Sequence, residues 1–421
     1  MHQWTGSPGE APGRTEPALA KSLSLLHATL YGLGVTIGAG IYVLIGAAAA
    51  RAGMYAPLAF VAAALLMALS AASFAELAGR LPVAAGEAAY VREAFRSDRL
   101  ATAVGLLVVA IAIVSAAAIS VGSAGYVGVF VPLPAPVLIA AVVLAMGAVA
   151  AWGVKESVSL AGTMTVIEIG GLLLLVFAGF ASDAKIVARL PEMVPPVGNP
   201  AVLVGLVSTT LLAVFAFIGF EGLANVAEEV REPQRTLPRA IFLTLAISTV
   251  LYVAVVWIAL AAVGHSELAQ STAPLALVFE RLTGAPPAIM SFIAIVATLN
   301  GVIVQIIMSS RVLYGLAHQR GLPAVFGRVS AATRTPLLAT AVTTACVLLL
   351  ALTLPLHDLA DATSRLTLVV FALVNLSLIR LKARAPADDP RIFIAPKWVP
   401  WAGAAACVGL LVLDLAAMLA R

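Results

Sequence analysis

The 421-residue sequence has little charge and almost no cysteine. Asp, Glu, Lys and Arg together make up 11% of the chain, against about 25% in soluble globular domains. This shortage excludes an ordinary soluble domain. The two cysteines, Cys346 and Cys407, both lie within apolar stretches, which argues against a disulfide framework. The basic residues are spread between apolar runs, so we predict no nucleic-acid partner.

Catalytic and metal-binding motifs are also missing from the sequence. The five histidines are scattered, mostly near loops, and no HExxH, Ser/His/Asp or P-loop pattern occurs. We therefore predict no enzyme, no metal site and no cofactor, with a proton as the candidate coupling ion. A channel would need a repeated polar stripe or a carbonyl filter, so a channel and a membrane enzyme are the least favoured functions.

Long apolar runs dominate what is present. Hydrophobic residues make up 62% of the chain, and about 20 apolar residues cross a bilayer as a helix. The runs predict an all-α integral membrane protein with the lipid bilayer as its surroundings. The predicted spans are 24–50, 55–79, 100–127, 136–153, 157–181, 201–227, 237–263, 286–317, 336–355, 358–381 and 399–420.

The distribution of Lys and Arg predicts the orientation of these spans. If the N-terminus is cytoplasmic, 19 of the 25 basic residues lie inside and 6 outside. The positive-inside rule then favours the cytoplasmic (inner) membrane with the N-terminus cytoplasmic and, after eleven spans, the C-terminus outside. Residues 1–22 are polar and predict a disordered cytoplasmic tail.

Two apolar runs about 180 residues apart are interrupted by glycine. They read GVTIGAGIYVLIG, with Gly38 and Gly40, and AVFAFIGFEG, with Gly219 and Gly222. A broken helix within a membrane is tolerated where its freed backbone groups face protein, ligand or water, and paired breaks are typical of secondary transporters. Glycines that merely allow tight helix packing are the alternative.

Each interrupted run opens a set of five spans, and an odd number of crossings inverts the second set relative to the first. We therefore predict a 5+5 inverted-repeat (LeuT-like) transporter fold with broken helices 1 and 6 plus one extra C-terminal helix. The predicted units are 23–181, 201–382 and 398–421.

The breaks suit an amino acid, which carries one carboxylate and one ammonium group. Amides of Ala39, Gly40 and Ile41 at a half-helix N-terminus suit the carboxylate. Carbonyls of Thr36, Phe215 and Ile218 suit the ammonium. The full predicted substrate-binding set is Thr36, Ile37, Gly38, Ala39, Gly40, Ile41, Phe215, Phe217, Ile218, Gly219, Thr298 and Gln305.

Four of the acidic residues in the predicted spans need a separate interpretation. Glu168 lies about 11 residues into the fifth span, where a charge costs roughly 2.5–3.5 kcal/mol, so it is a coupling candidate. It could carry a proton, bind a cation or be a structural carboxyl. Glu221 follows the second break and either acts in gating or caps freed amides. Glu76 is expected at the membrane interface, and Asp414 has no evident partner.

Four sequence segments together resemble the amino acid–polyamine–organocation (APC) superfamily. They are GVTIGAGIYVLIG, FAELAGRLPVAAGEAAYVREAF, FAFIGFEGLANVAEEVREPQRTLPRAI and SSRVLYGLAHQRGLPAVFGRV. The first is most similar to the branch of cationic amino acid transporters and their bacterial relatives. The resemblance implies an amino acid permease, with Phe215 as an aromatic gate over the substrate and Glu221 as a relay to the inner half of the helix.

The resemblance leaves coupling, substrate and assembly open. Proton-coupled relatives carry a lysine in the stretch where this chain has Glu168, so proton coupling does not carry over intact. We expect proton-coupled uptake of neutral amino acids, with an exchanger, an exporter, or a carrier of cationic amino acids or polyamines as alternatives. Relatives often use their last two of twelve helices at a dimer interface, so the oligomeric state is not predicted.

Overall fold

A computed structural model describes residues 23–38, 40–81, 86–153, 158–182, 185–196, 198–319, 321–384 and 391–419. The predicted tail, residues 1–22, lies outside the described residues. Within the described ranges the chain forms sixteen α-helices. They are α1 (Leu25–Ile37), α2 (Gly40–Ala52), α3 (Ala56–Arg80), α4 (Gly86–Phe95), α5 (Asp98–Val127), α6 (Ala135–Trp152), α7 (Val158–Ser182), α8 (Lys185–Ala188), α9 (Pro200–Phe217), α10 (Pro233–Ala262), α11 (His265–Gln270), α12 (Pro274–Thr283), α13 (Ala288–His318), α14 (Leu337–Thr353), α15 (Leu356–Arg384) and α16 (Trp398–Leu419).

The predicted all-helical membrane fold is confirmed. All eleven predicted spans coincide with apolar helices. The first span is divided into α1 and α2, and the sixth consists of α9 followed by the 3₁₀ segment, Phe220–Glu229. Short helices α4, α8, α11 and α12 lie between the spans. Helix α11 packs tightly on α2, since a methyl group at Gly46 would lie 2.9 Å from the Leu268 carbonyl oxygen.

Glu76, predicted at the membrane interface, is buried within the protein, and its depth in the membrane stays a prediction. Its side chain is fully buried, and one carboxylate oxygen accepts from Arg80 one turn later at 2.7 Å. The other oxygen accepts from the Lys382 ammonium at 2.7 Å and from the Ala395 amide at 2.8 Å. These contacts fasten α3 to α15 and to the segment before α16. A buried carboxylate is tolerated here because every lone pair finds a donor.

Asp414 also has a partner, on α15. The Arg365 guanidinium Nε donates to the Asp414 carboxylate at 2.7 Å. Within a bilayer such a pair is favoured because each charge alone would be costly. Helix α16 is thus joined to α15 by a charge pair in addition to its apolar contacts.

Candidate functional site

The first break separates α1 from α2. Helix α1 ends at Ile37, Gly38 forms a bend, and α2 begins at Gly40. Ala39 between them is outside the described residues. The first amides of α2 have no intrahelical acceptor, so its N-terminus carries a partial positive charge within the fold.

The second break is centred on Gly219. Helix α9 ends at Phe217, Ile218 is extended with ψ of 132°, and Gly219 has φ of +134°. This positive φ is accessible to glycine at no steric cost. The chain then continues as the 3₁₀ segment from Phe220 to Glu229 rather than as a second α-helix.

The two breaks are in direct contact. A methyl group at Gly219 would lie 2.8 Å from the Thr36 amide nitrogen and Cα. A methyl group at Gly40 would lie 2.7 Å from Ala216 Cα. Only glycine, whose side chain is a hydrogen atom, permits two backbones to come this close. The two interrupted segments therefore meet within the fold.

A tyrosine on α10 joins the two breaks. The buried Tyr252 hydroxyl lies 2.7 Å from the Thr36 carbonyl oxygen and 3.0 Å from the Ala216 carbonyl oxygen. A hydroxyl has one proton, so it donates to one carbonyl at a time. Each carbonyl oxygen retains a second lone pair. The Thr36 carbonyl can therefore accept from another donor while it accepts from Tyr252.

A cavity of about 80 Å³ lies beside the breaks. It is smaller than the roughly 150 Å³ that holds a benzene ring, so a large side chain would require its walls to move apart. No residue with a charged side chain is among its described lining residues. They are Tyr31, Gly34, Val35, Thr36, Gly40, Ser115, Ile119, Thr165, Phe215, Ile218, Asn300, Gly301, Val304 and Gln305.

Five of the predicted substrate-binding residues line this cavity. They are Thr36, Gly40, Phe215, Ile218 and Gln305. Six described ones are not among its lining residues, and these are Ile37, Gly38, Ile41, Phe217, Gly219 and Thr298. Their predicted roles in substrate binding remain predictions.

Two of these six have side chains engaged elsewhere. The Thr298 hydroxyl is buried, with Ser123 Oγ at 2.9 Å and the Ala294 carbonyl oxygen at 2.8 Å. The Phe217 ring packs against the Tyr252 ring, with centroids 5.2 Å apart, and against Phe60. Their direct structural role is packing between helices.

Glu221 occupies the positive end of the 3₁₀ segment. Its Oε2 accepts from the Gly219 amide at 2.8 Å, which is the capping contact that its position after the break suggests. A carboxylate already lies at this terminus. The N-terminus of α2 is therefore the more suitable position for a carboxylate from a ligand.

Glu168 lies behind the first break, fully buried on α7. Its Oε1 accepts from Asn300 Nδ2 at 3.1 Å, and Asn300 lines the cavity. Its Oε2 has no hydrogen-bond partner among the described residues and would lie 3.7 Å from a methyl group at Gly38. Asn300 thus connects the cavity to a buried carboxyl that has an unused oxygen.

The sequence reasoning did not single out several residues that surround the site. Tyr252 joins the breaks, Tyr42 donates to the Glu168 carbonyl at 2.7 Å, and Ser115 contacts Gln305 Nε2 at 3.3 Å. A tyrosine in an apolar span is a usable signal, because a buried hydroxyl needs a hydrogen-bond partner. That signal does not identify the partner, which comes from a distant part of the chain.

Comparison with known proteins places the chain among permeases. A family model described as amino acid permease matches residues 23–419. The chain is 29% identical to the branched-chain amino acid permease BcaP of Bacillus subtilis, covering 90% of this chain and 85% of that protein. It is 33% identical to an uncharacterised transporter of Mycobacterium tuberculosis, covering 86% and 81% respectively.

A plant relative extends the comparison to the branch that the sequence resembles. The chain is 28% identical to the vacuolar cationic amino acid transporter 2 of Arabidopsis thaliana, covering 88% of this chain and 61% of that protein. The family model spans the described chain from before α1 to the end of α16 and includes both broken helices. The chain is therefore a member of the amino acid permease family.

Proposed function

We propose that this permease takes up small neutral amino acids across the cytoplasmic membrane by alternating access, driven by protons through Glu168. The observation that carries the proposal is the contact between the two breaks beside a cavity without charged lining residues. The α2 N-terminus would hold the substrate carboxylate. The Thr36, Phe215 and Ile218 carbonyls would hold the ammonium group.

The choice of a neutral substrate rests on the side chains around the cavity. Ile119, Val304 and Ile218 supply apolar surface, and Gln305 and Ser115 supply neutral polar groups. A cationic side chain would need a carboxylate in the wall to offset its desolvation. Glu168 lies behind Asn300 and Glu221 caps Gly219. The name of the branched-chain relative supports the same choice, whereas the plant relative's name favours the cationic alternative.

Proton coupling is supported by the position of Glu168. A protonated Glu168 is neutral, keeps its Oε1 as an acceptor for Asn300, and avoids an unpaired charge beside the first break. Loss of the proton would place a negative charge next to Asn300. Because Asn300 also lines the cavity, its amide is the contact through which protonation would affect the substrate.

A screen followed by flux measurements tests the proposal. Purified protein is heated with each of the twenty amino acids and with polyamines, since a ligand that binds the folded state raises Tm. We expect small neutral amino acids to raise Tm and lysine, arginine and polyamines to leave it unchanged. Uptake of the best ligand into proteoliposomes is then measured with and without a pH gradient. Stabilisation by cationic ligands alone would contradict the substrate assignment.

The same flux measurement separates the alternatives in direction. An exchanger would require amino acid inside the vesicle, and an exporter would work in the opposite direction. Uptake that depends on internal amino acid and ignores the pH gradient would replace the symport proposal with exchange.

Phe215 is expected to close the cavity over the substrate. Its ring is 4% exposed and lines the cavity one residue before the carbonyl that Tyr252 contacts. A Phe215→Ala variant loses ring contact with the substrate, so we expect KM to rise at least tenfold, which corresponds to about 1.4 kcal/mol. The control is Phe292→Ala on α13, whose ring is 61% exposed. Equal KM in wild type and Phe215→Ala would remove the gate assignment.

A further inference from the structure

A second buried carboxyl lies away from Glu168, on the short helix α4. Glu87 is 7% exposed, and the salt bridges of the described residues do not include it. Burial raises the pKa of Glu87 from 4.5 to about 7. Glu87 therefore changes its charge near neutral pH, unlike an exposed glutamate.

An aromatic cluster brings α4 to the 3₁₀ segment. The Phe74 ring on α3 contacts Tyr90 of α4, with centroids 6.2 Å apart, and Phe220 of the 3₁₀ segment, with centroids 5.8 Å apart. Glu87 is three residues before Tyr90 on the same face of the helix, and Glu221 follows Phe220. Glu87 and Glu221 therefore lie on two elements that pack against each other.

A buried phenol lies near this pair. Glu221 Oε2 accepts from the Gly219 amide. The Tyr90 hydroxyl is buried, has no hydrogen-bond partner among the described residues, and interacts electrostatically with Glu87. Burial and Glu87 raise the pKa of Tyr90, so this hydroxyl stays a donor. The group has two carboxyls and one phenol and needs a cation or a proton.

Several cations on the neighbouring elements have partners other than Glu87. Arg384 donates to the Ala94 carbonyl at 2.7 Å, and Arg380 lies over the Phe95 ring, both at the far end of α4. Arg92 pairs with Asp98 at 3.0 Å. The other charged groups at this end of the elements packed against α4 are Glu76, Arg80, Arg99, Glu229 and Lys382. Of these, Glu76, Arg80 and Lys382 form the cluster that joins α3 to α15.

We propose that Glu87 and Glu221 form a proton-binding pair, in which a proton held on Glu87 keeps α4 packed against the 3₁₀ segment. Loss of the proton leaves a buried anion beside Glu221, and the repulsion loosens the segment that follows the second break. Tyr90 can donate to the Glu87 carboxylate once the proton has left. This inference goes beyond the proposed transport and rests on it only in treating the broken helix as a moving part.

Stability at two pH values tests the site without using transport. Because the pKa of Glu87 is raised on folding to about 7, its stabilising contribution is complete at low pH and is lost as pH rises through that value. We expect the Tm of the wild type to fall by several degrees between about pH 6 and about pH 8. In Glu87→Gln, which is always neutral, this fall should be clearly smaller, with the remainder due to another buried carboxyl, Glu168. The matched control is Glu93→Gln, an exposed position on the same helix.

Cysteine accessibility tests the movement itself. Val226 in the 3₁₀ segment is replaced by cysteine in a Cys346→Ser background, and its alkylation rate is measured across the same pH range. We expect the rate to rise several-fold with pH in this background and to stay constant when Glu87→Gln is added. Glu221→Gln is measured in parallel and should also flatten both profiles, which keeps the test valid if Glu87→Gln folds poorly.

Two results would overturn the proton site. One is a fall in Tm with rising pH that is as large in Glu87→Gln and in Glu221→Gln as in the wild type. The other is an alkylation rate that does not depend on pH. Failure of amino acid uptake would leave both measurements standing, so the two proposals fail separately.

Discussion

Replacing Glu168 by glutamine is expected to abolish accumulation of amino acid driven by a pH gradient while exchange of internal for external substrate continues. Glutamine keeps an acceptor for Asn300 Nδ2, which lies 3.1 Å from Oε1 in the wild type, but it cannot bind and release a proton. The cavity side of Asn300 is unchanged, so substrate binding should survive. The accumulation ratio in proteoliposomes with an imposed pH gradient should fall to about 1, as expected without coupling.

A surface glutamate supplies the control for this variant. Glu192 pairs with Arg189 at 2.9 Å, with 47% of its side chain exposed, and Glu192→Gln should accumulate substrate like the wild type. The guanidinium of Arg189 lowers the pKa of Glu192, so it is charged throughout the range tested. Retention of proton-driven accumulation by Glu168→Gln would show that coupling lies elsewhere. Loss of exchange as well would assign Glu168 a structural role.

Replacing Gly219 by alanine is expected to abolish uptake and to lower Tm substantially. Its φ of +134° costs a residue with a Cβ about 1–3 kcal/mol. The added methyl group would also lie 2.8 Å from the backbone of Thr36, which costs about a further 1–3 kcal/mol. Backbone atoms cannot rotate away, so the breaks must separate. The measurements are Tm and initial uptake rate.

Another glycine provides the matched comparison. Gly315 lies within α13 and has no atom within 4 Å of an added methyl group. Gly315→Ala should be neutral or stabilising, because alanine favours a helix by about 1 kcal/mol over glycine. If Gly219→Ala had the same Tm and the same uptake rate as the wild type, this result would contradict the close contact between the breaks.

The positions of the spans and of both breaks could be predicted because they depend on local composition. Apolar length determines a span, and glycine permits a break. The second break contains two glycines, and the sequence does not show which one adopts positive φ. The structure assigns that conformation to Gly219, whose neighbour across the contact is Thr36.

Contacts between distant segments could not be predicted. Glu76 lies at a helix end next to Arg80, as an interfacial residue would, yet Lys382 and Ala395 bury it. Tyr252 contacts carbonyls of two other helices, and Asp414 pairs with a residue of the preceding helix. These side chains have partners that only the packing of the helices brings near.

The charge pair between Arg365 and Asp414 has a consequence for biogenesis. Spans enter the bilayer in the order of synthesis, so α15 arrives with a guanidinium whose counter-ion has not yet been translated. The Asp414 carboxylate can pair with this guanidinium only after α16 has been synthesised. A polypeptide that ends before Asp414 would therefore lack the partner that α16 provides for Arg365.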